Sequence, residues 1–128
     1  MTKINVSSGS PFEEPIGFSR AVRIANIIAI SGTAPINPDG STFALGDMYK
    51  QTKYCIKIMK QAIEEAGGHL DNIIRTRVFL RDVSRWKEAA KAHGEFFSNI
   101  RPASTFIEVK GFVNDEWLVE IEADCVIT

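Results

Sequence analysis

The chain is short of the residues that most often carry metal, redox or nucleophilic chemistry: its 128 residues include two cysteines and two histidines. Cys55 and Cys125 stand far apart, each inside an apolar stretch. They read as two buried thiols in a reducing compartment, with a disulfide or a reactive thiol as the alternative. His69 and His93 have no second histidine or cysteine at ligand spacing, so no metal site is expected. Also missing are the G-x-x-x-x-G-K-[ST] phosphate loop, the G-x-G-x-x-G dinucleotide fingerprint, a C-x-x-C pair, H-E-x-x-H and the G-x-S-x-G elbow of serine hydrolases. Charge of one sign is lacking too. Fifteen Lys and Arg against 16 Asp and Glu leave a formal net charge of −1, which gives no general pull toward nucleic acid. No apolar run approaches the ~20 residues of a membrane helix, and the opening MTKINVSSGS lacks the basic-then-apolar pattern of a secretory signal. The expected location is cytoplasmic, away from membranes.

What is present is an ordinary globular composition, 45% hydrophobic and 24% charged, in a length that suits one domain over residues 1–128. The stretch 18–36, FSRAVRIANIIAISGTAPI, has β-branched residues on both sides of Asn26 and predicts two strands joined by a tight turn, before NPDG reverses the chain at 37–40. From Asp47 the period lengthens: Met48, Thr52, Cys55, Ile56, Met59, Ala62, Ile63 and Ala66 mark an amphipathic helix ended by Gly67-Gly68. Residues 73–82 alternate again as a strand. Trp86, Ala89, Ala90, His93, Phe96 and Phe97 then give a second amphipathic helix over 84–98, with Asp82 or Ser84 as N-cap.

Residues 105–110 and 116–127 predict two further strands. On the last, Trp117, Val119, Ile121, Ala123, Cys125 and Ile127 share one face against Glu116, Glu120, Glu122 and Asp124 on the other. A face with four acids must meet solvent, basic groups of a partner or a ligand. The order β-β-α-β-α-β-β predicts an α+β fold, one mixed sheet with both helices on one face. The other face is left open for association between copies.

Within this frame Glu120 and Glu122 are the acid/base candidates, since partial burial on a sheet face raises a carboxyl pKa toward the range where it exchanges protons. For Glu122 the alternative is a salt-bridged face with Arg75 and Arg77. Arg101, or a strand arginine, is the candidate cation for an anionic ligand, and Ser31-Gly32 offers backbone N–H groups to the same anion. His93 reads first as a hydrogen-bonded core or interface histidine and only second as a base.

The segments IGFSRAVRI, IIAISGTAPINPDG, IEEAGG, RTRVFLRDVSRW and, above all, RPASTFIEV followed by LVEIEADCV resemble the reactive-intermediate deaminase family, also called the Rid or YjgF family, over residues 11–127. The resemblance implies a chorismate-mutase-like fold and a homotrimer with a small-molecule cleft at each subunit interface. It implies hydrolysis of enamines and imines to 2-keto acids and ammonia without metal or cofactor. In that pattern an arginine holds the substrate carboxylate and a glutamate positions water. Glu120 matches the glutamate and Ser31-Gly32 the Ser-Gly at the cleft. Ser104 stands at the arginine, Phe106 at a cysteine, Ser19, following Phe18, at a tyrosine and Ala90 at an asparagine.

Serine cannot replace a bidentate cation, so a carboxylate-bearing ligand would need Arg101, or Arg101 or Arg75 of a neighbouring copy, to hold it. Phe106 would wall the cleft and favour a ligand with a flat apolar part. The expected protein is a small-metabolite-binding enamine or imine deaminase. A non-catalytic metabolite-binding or regulatory protein of the same fold is the alternative. A ribonuclease-type activity stands third, for want of a basic patch.

Overall fold

The computed structural model describes residues 2–128. Strand β1 (Lys3–Val6) and a four-residue helix α1 (Glu13–Ile16) precede the hairpin β2 (Ala21–Ile24) and β3 (Ile27–Thr33). Then come the long helix α2 (Met48–Glu65), β4 (Ile73–Leu80), α3 (Trp86–Phe97), β5 (Ala103–Glu108) and β6 (Val119–Val126). From β2 onward this is the expected order. The six strands form one mixed sheet in the order β1-β2-β3-β6-β4-β5, in which β4 and β5 are parallel and the other pairs antiparallel.

Local chemistry accounts for the boundaries. Asp47 caps α2 by accepting from the Lys50 amide at 2.9 Å, and Gly67 at φ 89° takes the left-handed position that ends it. Gly68 donates its N–H back to Ile63 O at 2.9 Å and lies so close to Ile28 that an added β-carbon would stand 2.8 Å from its Cδ1. Asp82 accepts from Ser84 N at 2.9 Å and caps a 3-10 turn (Val83–Arg85) that runs directly into α3, so the expected N-cap serves that turn rather than the helix itself.

Two expectations shift. The fifth strand begins at Ala103 and not 105, because pairing with β4 starts as soon as Pro102 is passed, at Arg75↔Ala103. Trp86, placed by its spacing on the inner face of α3, is 46% exposed, since the helix begins at that residue and its buried stripe starts at Ala89.

The core lies between the sheet and the two long helices, with Ile28, Ile56, Met59, Ile63, Val78, Leu80, Val119 and Ile121 in one cluster. Each such side chain contributes about 1.5–3 kcal/mol when fully buried. The β6 alternation holds along the strand: Val119, Ile121, Ala123 and Cys125 are buried toward the helices, while Glu120, Glu122 and Asp124 face the other way. On that open face Arg77 bridges Glu122 and Asp124, each at 3.2 Å. Exposed Ile24 and Ile27 flank it on the neighbouring hairpin. Among the described residues no helix is long and apolar enough to cross a membrane.

Candidate functional site

Where β3 leaves the sheet, its pairing with β6 slips between Ile30 and Thr33. The slip lifts Ser31-Gly32 out of the regular ladder and leaves Gly32 beside Glu120. A β-carbon at Gly32 would meet Glu120 Oε1 at 3.3 Å. The two residues line a cavity of about 150 Å³ whose walls are Phe12, Ile16, Phe18, Ile36, Val113 and Trp117, with Ser10 and Arg20 as further polar groups. Phe12 meets Trp117 edge to face at 5.8 Å. The Glu120 carboxyl is held above the usual carboxylate range, mainly because burial disfavours its charge; repulsion from Glu122 adds to this, attraction by Arg20 opposes it, and no hydrogen bond is among the causes. A carboxyl so placed is free to hold water and to exchange a proton with it.

Arg20 was not singled out by the sequence. It is 4% exposed and donates to Glu13 Oε2 from Nε and Nη2 at 3.3 Å, to Gly32 O at 2.6 Å and to Thr33 Oγ1 at 3.3 Å, with the Phe18 ring 5.3 Å away. Burial alone would push the Glu13 carboxyl up, but hydrogen bonds from Ser8 and Ser7 and the Arg20 charge outweigh it and hold the group below its ordinary value. Arg20 also borders a second, larger cavity of about 430 Å³ that runs between the Ser7–Ser10 loop, Asn37 and the α2 side chains Tyr54, Ile58 and Gln61.

Of the residues the sequence proposed, Ser19, Ser31, Gly32 and Glu120 come together. Ser19 and Ser31 brace the turn and do not line the cavity: Ser31 Oγ donates to Ser19 O at 2.6 Å, and Asn5 Nδ2 donates to Ser19 Oγ at 3.0 Å. The Ser31 amide is occupied by Arg20 O at 3.0 Å, so Gly32 is the member of the pair that faces the carboxylate. Phe18, one residue earlier, supplies the aromatic wall.

Ser104 and Phe106 form a separate group on the other face of the sheet. Ser104 sits opposite Thr76 in the β4–β5 ladder, and Thr76 points into the helix layer, whereas Glu120 opposes Phe79 on the open face. There Thr76 Oγ1 lies 2.8 Å from both Ser104 Oγ and His93 Nε2, and Phe106 meets the His93 ring edge to face at 5.4 Å. Arg101 is exposed, between α3 and β5, at φ 54°, and its backbone N–H closes α3 on Phe97 O at 2.7 Å. It borders neither cavity. Among the described residues no cluster of three His, Cys, Asp or Glu side chains is arranged to hold a metal ion, and Cys55 and Cys125 are buried free thiols.

A mixed sheet backed by helices on one side, with a carboxylate in an apolar cavity at a strand slip, places this chain in the α+β class of chorismate-mutase-like architecture. A family model described as endoribonuclease L-PSP matches residues 12–127, and the chain belongs to that family, also known as the Rid or YjgF family. It is similar to an uncharacterized protein of Streptomyces coelicolor, 37% identical over 119 residues that cover 93% of this chain and 88% of that one. It is 30% identical over 101 residues to the 3-aminoacrylate deaminase RutC of Acinetobacter baylyi, covering 79% of each chain. The crystal structure of Rv2704 from Mycobacterium tuberculosis, described as a member of the YjgF/YER057c/UK114 family, superposes with a TM-score of 0.89 at 36% identity, covering 98% of this chain and all of that one.

Proposed function

We propose that the chain binds a small enamine or imine metabolite and deaminates it hydrolytically, in a cleft that a neighbouring copy completes within a cytoplasmic homotrimer. The observation that carries this reading is the Glu120 carboxyl, half-buried in an apolar cavity with its pKa raised. Membership of the family, and similarity to a 3-aminoacrylate deaminase, support a deaminase or metabolite-binding role at the family level.

In this reaction Glu120 takes a proton from water as the water oxygen bonds to the C=N carbon and the π pair moves to nitrogen. Glu120 then returns the proton to nitrogen. A second transfer through Glu120 then carries the hydroxyl proton to nitrogen as the C–N bond breaks, so that ammonia leaves and the hydroxyl oxygen becomes the carbonyl. An enamine enters the same sequence after protonation at carbon. Burial supports a role in both directions, because a carboxyl with a raised pKa is a stronger base when ionised and is protonated over more of the pH range than an exposed one.

Two features support an assembly of copies such as the trimer. Ser104 and Phe106 lie on the sheet face opposite Glu120, so residues of both groups can line one cleft only across copies. The open face also carries Ile24, Ile27 and Ile107, all substantially exposed in one chain. The reducing interior of a cell suits the two free thiols. Nucleolytic action, named in the description of the family model, has less support, because Glu120, Glu122 and Asp124 crowd the open face and would repel a phosphate backbone.

The test is the lifetime of a freshly generated enamine, followed by absorbance and by ammonia release. The purified protein should shorten it, and Glu120→Gln should lower the rate by about 100-fold or more with the oligomer intact by light scattering. Tight binding without ammonia release would leave the chain a metabolite-binding protein.

A further inference from the structure

The group at the β5 edge has its own chemistry. Thr76 is fully buried and its hydroxyl donates to Ser104 Oγ at 2.8 Å, so its single proton is committed outward. With that proton committed, its 2.8 Å contact with His93 Nε2 is a hydrogen bond in the tautomer that carries the imidazole hydrogen on Nε2. The three groups form one chain whose donors all point from the helix layer to the sheet edge. At its end the Ser104 proton has no partner among the described residues, and Ser104 itself is exposed. Chains of aligned hydrogen bonds polarise one another, which strengthens the terminal donor.

Nothing in this group is charged near neutral pH. Burial keeps the His93 imidazole below its ordinary pKa, and it is packed between Phe97 at 4.5 Å and Phe106 at 5.4 Å. Arg75 and Arg77 lie opposite Asp124 and Glu122 on the other sheet face. Arg101 closes α3 through its backbone N–H on Phe97 O, and among the described residues its guanidinium makes no hydrogen bond to this group. A carboxylate brought to Ser104 would therefore lose water and gain a single neutral hydrogen bond, whereas an amide or carbonyl oxygen gives up far less hydration for the same contact.

We propose that Ser104, oriented by Thr76 and His93, selects ligands that present an uncharged acceptor, a carboxamide or carbonyl oxygen, beside the flat wall of Phe106. The ligand class is thus a neutral enamine or imine rather than a 2-imino acid. This rests on the reading of a cleft shared between copies, in which the β5 edge of one faces Glu120 of the next. Ser104 is the group that touches ligand; Thr76 and His93 are positioning residues.

The test compares two matched probes with the assembled protein, freshly generated 2-iminopropionamide and 2-iminopropionate, by ammonia release. The amide should be favoured by about tenfold or more in kcat/KM, and Ser104→Ala should erase the preference. Thr76→Val and His93→Leu should raise KM for the amide with kcat and the acid's KM little changed, and His93→Gln, which keeps an N–H, should recover the amide. A merely structural role would depress both substrates together. Preference for the acid, a preference that survives Ser104→Ala, or an acid preference lost in Arg101→Ala would overturn the proposal. If neither probe is turned over, deamination fails as the reaction, and equilibrium binding of the stable pyruvamide and pyruvate decides the specificity separately. Tighter pyruvamide binding that depends on Ser104 supports it; equal binding, or none, overturns it.

Discussion

The Glu120 carboxylate closes against Gly32: a β-carbon at Gly32 would stand 3.3 Å from Glu120 Oε1, tighter than ordinary contact. The absence of a side chain at Gly32 is what lets the carboxyl occupy the mouth of the cavity. Gly32→Ala should fold, since the atom in the way is the far end of a flexible side chain. It should nevertheless move the carboxylate by a few tenths of an ångström and cut turnover about tenfold, a misplacement cost. Unchanged Tm with reduced kcat is the expected pair of readings; unchanged kcat would mean that the carboxylate position does not matter.

Glu120 should also destabilise the fold that uses it. Its folded pKa is raised above the ordinary value of 4.5, chiefly by burial, so the native state holds the proton more tightly than the unfolded chain. The penalty is absent below the ordinary value and grows as pH rises through the folded pKa. Glu120→Gln should therefore raise Tm near neutral pH and lose that advantage in acid, while its activity stays about 100-fold or more below wild type. Thermal unfolding across the acid range checks it, and a Glu120→Gln variant less stable than wild type at neutral pH would contradict it.

The Glu13–Arg20 pair behaves in the opposite sense. The Glu13 carboxyl titrates below its ordinary 4.5 because Ser8, Ser7 and Arg20 together outweigh its burial. Its contribution is fully present above the ordinary value and is lost as pH falls through the folded pKa. Glu13→Gln leaves a buried guanidinium without its counter-charge and should cost about 3–5 kcal/mol near neutral pH. The loss should shrink in acid, where wild type weakens too. Denaturant unfolding at two pH values measures both. Because Arg20 also donates to Gly32 O at 2.6 Å, the same variant should loosen the turn that faces Glu120.

The layout was legible where one period runs long enough to be read. The α2 stripe from Met48 to Ala66 and the β6 alternation gave both the helix layer and the acidic face, and with them Glu120. Strand β1 was not legible, because the four residues KINV are too few to establish a period; of them only Val6 is buried, and the strand exists through pairing with β2. Nor was Arg20. A charge at a strand start reads as surface, and its burial depends on Glu13, seven residues earlier, folding back through α1. Arg101 stood out by its residue type, yet its left-handed backbone and its N–H to Phe97 O tie it to the end of α3. The Thr76–Ser104 contact joins residues 28 positions apart through the parallel β4–β5 pair, which no local pattern announces.

Mixed assemblies test the central claim, a water-holding carboxylate in a cleft built from two copies, more directly than any single variant. Glu120→Gln and Phe106→Glu should each be inactive in ammonia release, one lacking the carboxylate and the other blocking the facing wall. Unfolded together in equal amounts and refolded, they should regain activity, with about one quarter of the interfaces combining an intact Glu120 with an intact Phe106. A mixture no more active than its two components would place the whole site within a single chain and contradict the account.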